Sequence, residues 1–217
     1  MDINLLAMNG IETFRELKPN KVVHQLVTMI SDGLPSFSSS KEFETVLKNK
    51  KNENQHSTAY CLFAINFCKS RFCFMRENTQ KGSSTVDIGV YKGEILIFVI
   101  EAKLLPTPKG TTQQPRYEYE YVYGKGAAIQ RFKDMQHGVD NEDRHFSDSG
   151  VIAFIKENNF DFWFQKVNQW ISDAKWDTTE ELQKISINTT AILLSAHSRT
   201  DGTVIRLHHF WVHVNKY

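Results

Sequence analysis

Cysteine is scarce in this sequence. The three present, Cys61, Cys68 and Cys73, are odd in number and include no C-x-x-C pair. That argues against a disulfide framework or a zinc knuckle. Cys61 and Cys68 stand seven apart among apolar neighbours, on one side of a predicted helix, as reduced core thiols do. Charge of one sign is also lacking: 26 Lys and Arg face 25 Asp and Glu, a formal net charge of +1. This excludes a broad basic coat, so any nucleic-acid contact has to be a local patch. Apolar runs such as "ILIFVI" are far too short to cross a bilayer, so no membrane partner is expected. "MDINLLAMNG" has no basic region ahead of an apolar stretch; no secretory signal is read there, and a cytoplasmic location is expected. There is no G-x-S-x-G to start a serine hydrolase, and "GKG" lacks the spacing of a P-loop or a dinucleotide fingerprint.

What is present is an ordinary globular balance. With 217 residues, 41% apolar and 24% charged, the chain is expected to form a single domain over 1–217 with a proper core. Residues 1–50 read as an N-terminal helical segment. It is helical on both sides of Pro19, with "DGLPSFSSS" (32–40) as a loop and Ser40 capping a short helix "KEFETVLKNKK". "HSTAYCLFAINFCKS" suits a mostly buried helix. Three strands are predicted next: "RFCFM" (71–75), "TVDIGVY" (85–91) and "EILIFVIEAKLL" (94–105). The third is apolar on both faces, as a central strand is. "RYEYEYVY" alternates with period two and reads as an amphipathic strand, and "GKGAAIQRFKDMQ" as a helix opened by glycines. The short apolar segment "VIAFI", an amphipathic helix "FDFWFQKVNQWISDA", and a hairpin turning at Asp201-Gly202 complete the string. The fold class is therefore α/β, a mixed central sheet with helices on both faces.

Charges on an apolar strand need an explanation, because a buried unpaired charge is costly. Glu101 and Lys103 are two apart and share a strand face, while Ala102 points away. Asp87 lies on the preceding strand, across a tight turn around "YKGE". Two carboxylates with an ammonium beside them offer hard oxygen ligands to Mg²⁺, or to Mn²⁺ in its place. Such an ion polarises a phosphate and activates a bound water, and the lysine positions that water or stabilises charge. Convergence depends on register. A two-residue turn at Lys92-Gly93 puts Asp87 on the wrong face; the site requires a three-residue loop, Lys92-Gly93-Glu94, setting Asp87 opposite Val99, or else a bulge.

Asp87 in "VDIGV", a hairpin, and Glu101 with Lys103 in "IEAK" together resemble the PD-(D/E)XK nuclease superfamily. The predicted order over 53–155 is similar to that superfamily's restriction-endonuclease-like core of a helix, three antiparallel strands, a helix and a strand. Residues 156–217 add a C-terminal helix and β-hairpin. Val86 stands where many members have a proline before the aspartate. The resemblance implies catalytic roles for Asp87, Glu101 and Lys103, with Asp87 and Glu101 holding Mg²⁺, and a further glutamate from the helix before the first strand. Glu53, at the head of that helix, is preferred over Glu44 in the earlier one, although the helix dipole also favours a first-turn glutamate. The implied activity is that of a DNA endonuclease of restriction or phage-defence type. Cutting both strands needs two sites, which suits a homodimer. The rival is a catalytically inactive nucleic-acid-binding or protein-interaction module of the same fold; the intact Asp87, Glu101 and Lys103 favour activity.

Lys125, Gln130, Arg131 and Lys133 are candidates for phosphate contacts, weighed against a solvated helix face. Tyr117, Tyr119, Tyr121 and Tyr123 stack on bases in one reading and line a half-buried strand in the preferred one. His197, His208, His209 and His213 gather in the final hairpin, but His209 and His213 stand about 13 Å apart along a strand, too far for one ion. Packing or a surface position is the expected role. Removing Asp87, Glu101 or Lys103 is expected to leave folding nearly intact, since a crowded acidic site is relieved by losing a carboxylate.

Overall fold

The computed structural model describes residues 20–46, 52–80, 84–113, 115–140 and 142–214. The helix expected before Pro19 and the end of "KEFETVLKNKK" lie outside them. Helix α1 (Lys21–Phe37) starts where the Asn20 side chain accepts a hydrogen bond from Val22 N, and buries Val23, Leu26, Ile30, Leu34 and Phe37. It runs through Pro35, where a loop was expected. A proline inside a helix costs about 3 kcal/mol. Leu34 and Phe37 are both fully buried, and at about 2 kcal/mol apiece their burial offsets that cost. Helix α2 (Lys41–Val46) is capped by Ser40 Oγ, which accepts from Phe43 N, and α3 (Glu53–Phe67) by Asn52, which accepts from Gln55 N. Cys61 and Cys68 are free and buried.

Seven strands form one mixed sheet in the order β1-β2-β3-β4-β7-β6-β5. Strands β1 (Cys73–Thr79), β2 (Thr85–Lys92) and β3 (Ile95–Leu105) make an antiparallel meander. A crossover through the short helix α4 (Ala128–Lys133) brings β4 (Asp148–Ile155) parallel to β3. After α5 (Phe160–Asp173), β5 (Gln183–Ile187), β6 (Thr190–Ser198) and β7 (Val204–His213) extend the sheet, with β7 parallel to β4. Ile88, Ile100, Ala102 and Leu104 pack under α1–α3, while Val99, Val151 and Ala153 pack with α4 and α5. The chain is thus a mixed α/β fold with helices on both faces. No described helix is long and apolar enough to cross a membrane.

The departures from expectation fall in polar segments. Strand β1 reaches Thr79 rather than ending at Met75, and β5 was not foreseen. Both are edge strands with few buried side chains, so they lack the apolar alternation that marks a strand. "RYEYEYVY" forms a 3-10 turn at Glu118–Tyr121, because no sheet edge is open to it between β3 and β4. Helix α4 is six residues long, much less than "GKGAAIQRFKDMQ".

Candidate active site

The hairpin between β2 and β3 turns at Gly93-Glu94, with Lys92 paired to Ile95 and Tyr91 to Leu96. Gly93 takes a positive φ of 63°, which glycine adopts without strain. The pairing then shifts, and Val90 faces Phe98, leaving Ile97 as the extra residue of a bulge. Of the two alternatives foreseen, the bulge is the one adopted. It changes the parity, so that Gly89 pairs with Val99 and Ile88 with Ile100. Val99 is thus taken by Gly89, and Asp87, one residue beyond the last pair, has the parity of Glu101 and lines the same cleft. Asp87, Glu101 and Lys103 therefore share one face.

The ladder between these strands ends at Ile88–Ile100, and side chains take over the amides of β3 beyond it. Asp87 Oδ2 accepts from Ala102 N at 2.8 Å, and Glu53 Oε2 accepts from Leu104 N at 3.0 Å. Both interactions satisfy backbone donors that the parted strands leave without a ladder partner. Glu53 reaches the gap from the first turn of α3 and also lies 3.5 Å from Arg116 Nη2. Glu44 is exposed on α2 and is not among the cleft residues.

Glu101 and Lys103 are 2% and 4% exposed, so each requires a partner. Lys103 Nζ donates to Glu101 Oε1 at 3.0 Å and to the Gly126 carbonyl at 3.4 Å; Arg131 Nη1 donates to the same Oε1 at 3.3 Å. His137 is not among the residues that the sequence singles out. It is fully buried, with Nδ1 3.4 Å from Glu101 Oε2 and Nε2 at 2.9 Å from Ser84 Oγ. No motif announces it, because its place depends on how the chain turns after α4. Neither Glu101 Oε2 nor His137 Nδ1 has a hydrogen-bond partner among the described residues, although the two atoms stand 3.4 Å apart.

Glu53, Ser84, Asp87, Glu101, Lys103 and Arg131 line a cleft of about 1000 Å³ together with Arg116, Tyr117, Tyr119 and Lys125, and His137 lies buried behind Glu101. Of the four phosphate candidates, Lys125 and Arg131 reach the cleft. Gln130 bonds instead to Asp134 at 2.9 Å, and Lys133 pairs with Glu180 and lies over the Trp176 ring. A six-residue helix offers only one face to the cleft, and Gln130 and Lys133 fall outside it.

The electrostatics separate the two carboxylates. Burial, followed by repulsion from Glu101, pushes Asp87 up to about 7. Burial would raise Glu101 too, but Lys103, His137 and Arg131 outweigh it and hold that group down at about 2. Burial would lower Lys103, yet Glu101, Glu53 and Asp87 prevail and raise it, so it stays protonated at neutral pH. An aspartate that resists ionising beside an oxygen without a hydrogen bond fits a hard divalent cation. Mg²⁺ takes one or two carboxylates and keeps its waters. Among the described residues no cluster of three or more His, Cys, Asp or Glu is arranged to hold a metal, so the donor set would be these two carboxylates with water.

The histidines form a separate buried chain. Ser195 Oγ bridges His197 Nε2 (2.7 Å) and His209 Nε2 (2.8 Å); His197 Nδ1 meets Glu180 at 2.9 Å and His209 Nδ1 meets Tyr121 OH at 2.8 Å. Burial, then His197 and His208, hold His209 well below 6.5. A depressed histidine contributes stability that is present above its unfolded value and lost as pH falls. Asp87 acts oppositely, since its raised value favours the fold as pH drops below 7. Burial holds His197 down as well, so in the wild type Asp87 should offset only part of the histidine loss between pH 7 and about pH 5. In Asp87→Asn a loss of about 2 kcal/mol should appear over that range, read from urea midpoints. A flat profile in that variant would mean that neither His197 nor His209 is held down by its burial.

Set against protein-family models, curated proteins and solved structures, the chain matches none.

Proposed function

We propose that this cleft hydrolyses phosphodiester bonds in nucleic acid. In this reading the protein is a Mg²⁺-dependent nuclease on a restriction-endonuclease-like core, akin to the PD-(D/E)XK superfamily. Its substrate is DNA, and it is an endonuclease of restriction or phage-defence type. One observation carries the reading: Asp87, Glu101 and Lys103 share a sheet face at the point where β2 parts from β3, on the wall of a cleft.

Asp87 and Glu101 would hold the cation, which supplies charge stabilisation at the phosphate and a water of lowered pKa. Lys103 keeps its proton and so acts as a donor toward charge developing on the phosphate, not as a general base. Lys125 and Arg131 line the same cleft and supply the local cationic surface that a net charge of +1 does not. Glu53 holds the β3 amide in place and pairs with Arg116.

One observation favours the inactive module instead. Glu101 Oε1 is engaged by both Lys103 and Arg131, a closed ion network that a binding protein also tolerates. Calorimetry with Mn²⁺, together with cleavage assays on single-stranded and duplex DNA, separates the two. We expect metal binding, cleavage with Mg²⁺ or Mn²⁺ that stops on chelation, and binding of Ca²⁺ with little turnover. Absence of metal binding gives the module reading precedence.

A further inference from the structure

Beside the catalytic groups the cleft carries an aromatic column that the proposed chemistry leaves unused. The rings of Tyr117 and Tyr119 are 5.0 Å apart and those of Tyr119 and Tyr123 are 4.8 Å apart, each pair 6° from parallel. Tyr121 leaves the column and is buried, with its hydroxyl bonded to His209 and to Trp211 Nε1. The 3-10 turn thus sorts four tyrosines into one core residue and a stack of three. Tyr117 ends the stack. It rests on Tyr119, is 48% exposed and lines the cleft.

Its position is fixed by local bonds. Glu120 accepts from Tyr117 N at 2.9 Å and pairs with Arg116 at 3.2 Å, and Arg116 lies 3.5 Å from Glu53. Gly124, just after the stack, has φ +102°, a backbone conformation that glycine adopts without strain. The end of the column is therefore a held, flat surface joined through Arg116, which pairs with both Glu120 and Glu53, to the glutamate that accepts from Leu104 N.

We infer that Tyr117 binds an unpaired nucleobase of the substrate by stacking, an inference that rests on the nuclease reading. A ligand of this cleft would lay a flat π face on Tyr117 and bring an anion to Lys125, while Lys103, Arg116 and Arg131 on the same walls are already paired with Glu101, Glu53 and Glu120. A nucleotide does both. The base must be unpaired, because a base inside a duplex already has both faces stacked. It comes either from a single strand or from a nucleotide swung out of a duplex.

The test reads binding with Ca²⁺ in place of Mg²⁺, so that turnover does not enter. A labelled single strand of about eight nucleotides, with 2-aminopurine moved along it, is titrated with the wild type, Tyr117→Phe, Tyr117→Leu and Tyr117→Ala. The wild type and Tyr117→Phe should bind alike and quench the fluorescence at one position. Tyr117→Leu and Tyr117→Ala should bind about 5- to 100-fold more weakly and lose that quenching. The leucine variant keeps bulk without a π face, so it decides the matter should the alanine variant fold poorly. A second arm uses a duplex with 2-aminopurine at a mismatch. The same pattern there assigns the base to a flipped nucleotide, and a pattern confined to the single strand assigns it to that strand. Unchanged binding and quenching in the leucine and alanine variants would overturn the inference and leave the nuclease reading standing. Failure of the wild type to bind either nucleic acid would overturn both.

Discussion

Lys103→Met is expected to abolish cleavage while sparing metal affinity, and Asp87→Ala and Glu101→Ala to lose both. The loss should be about a thousandfold or more, the scale seen when a preorganised donor is removed from a water-poor site. Methionine keeps the buried aliphatic stem, so the change isolates the ammonium. That ammonium is fixed between Glu101 Oε1 and the Gly126 carbonyl and is held protonated by three carboxylates. Because its pKa is raised, activity should show no limb belonging to a lysine acting as base near neutral pH. Single-turnover rates at saturating Mg²⁺, set beside Mn²⁺ calorimetry for each variant, check the split. Cleavage undiminished in all three variants would place the chemistry elsewhere in the molecule.

Stability should respond with opposite signs at the two carboxylates. Equal tolerance of both substitutions was the expectation from sequence, and the structure divides it. Glu101 is the partner of a lysine 4% exposed, and of Arg131 and His137. Glu101→Ala leaves that buried ammonium without its nearest counter-charge, and we expect a loss of about 3 kcal/mol. Asp87 is raised to about 7 by burial and by Glu101, so above that pH it is ionised in the fold against its preference. Asp87→Asn keeps an oxygen to accept from Ala102 N and removes the charge. We expect a gain of about 2 kcal/mol at pH 8, after allowing for water at its outer edge. The sign follows from linkage: a raised carboxyl favours the fold fully below its unfolded value of 3.8 and loses that contribution as pH rises through 7. The advantage of the variant should accordingly shrink as pH falls and vanish below 3.8. Excess Mg²⁺ should narrow or reverse it, because only the wild type then gains stability from a bound cation. Denaturant midpoints in chelator and in Mg²⁺ test both halves. A destabilised Asp87→Asn in chelator would show that Asp87 is not strained in the metal-free fold.

The residues themselves determined whatever depends on neighbours along the chain. Period-two alternation puts Glu101 and Lys103 on one face, and a strand apolar on both sides announces β3 as central. The largely apolar run that follows residue 53 places Glu53 at the head of a buried helix. Only the folded sheet decided which face Asp87 joins, because one extra residue, Ile97, reverses the parity of a hairpin, and the apolar pattern of β3 is equally content in either register. His137, Arg116 and the sorting of the tyrosines likewise emerge from tertiary structure. Each depends on how the β3–β4 crossover folds back over the cleft, and its short polar segments carry no periodicity from which that path can be read. The same holds for Pro35 inside α1. There a local rule against helix yields to two fully buried side chains that only tertiary packing supplies.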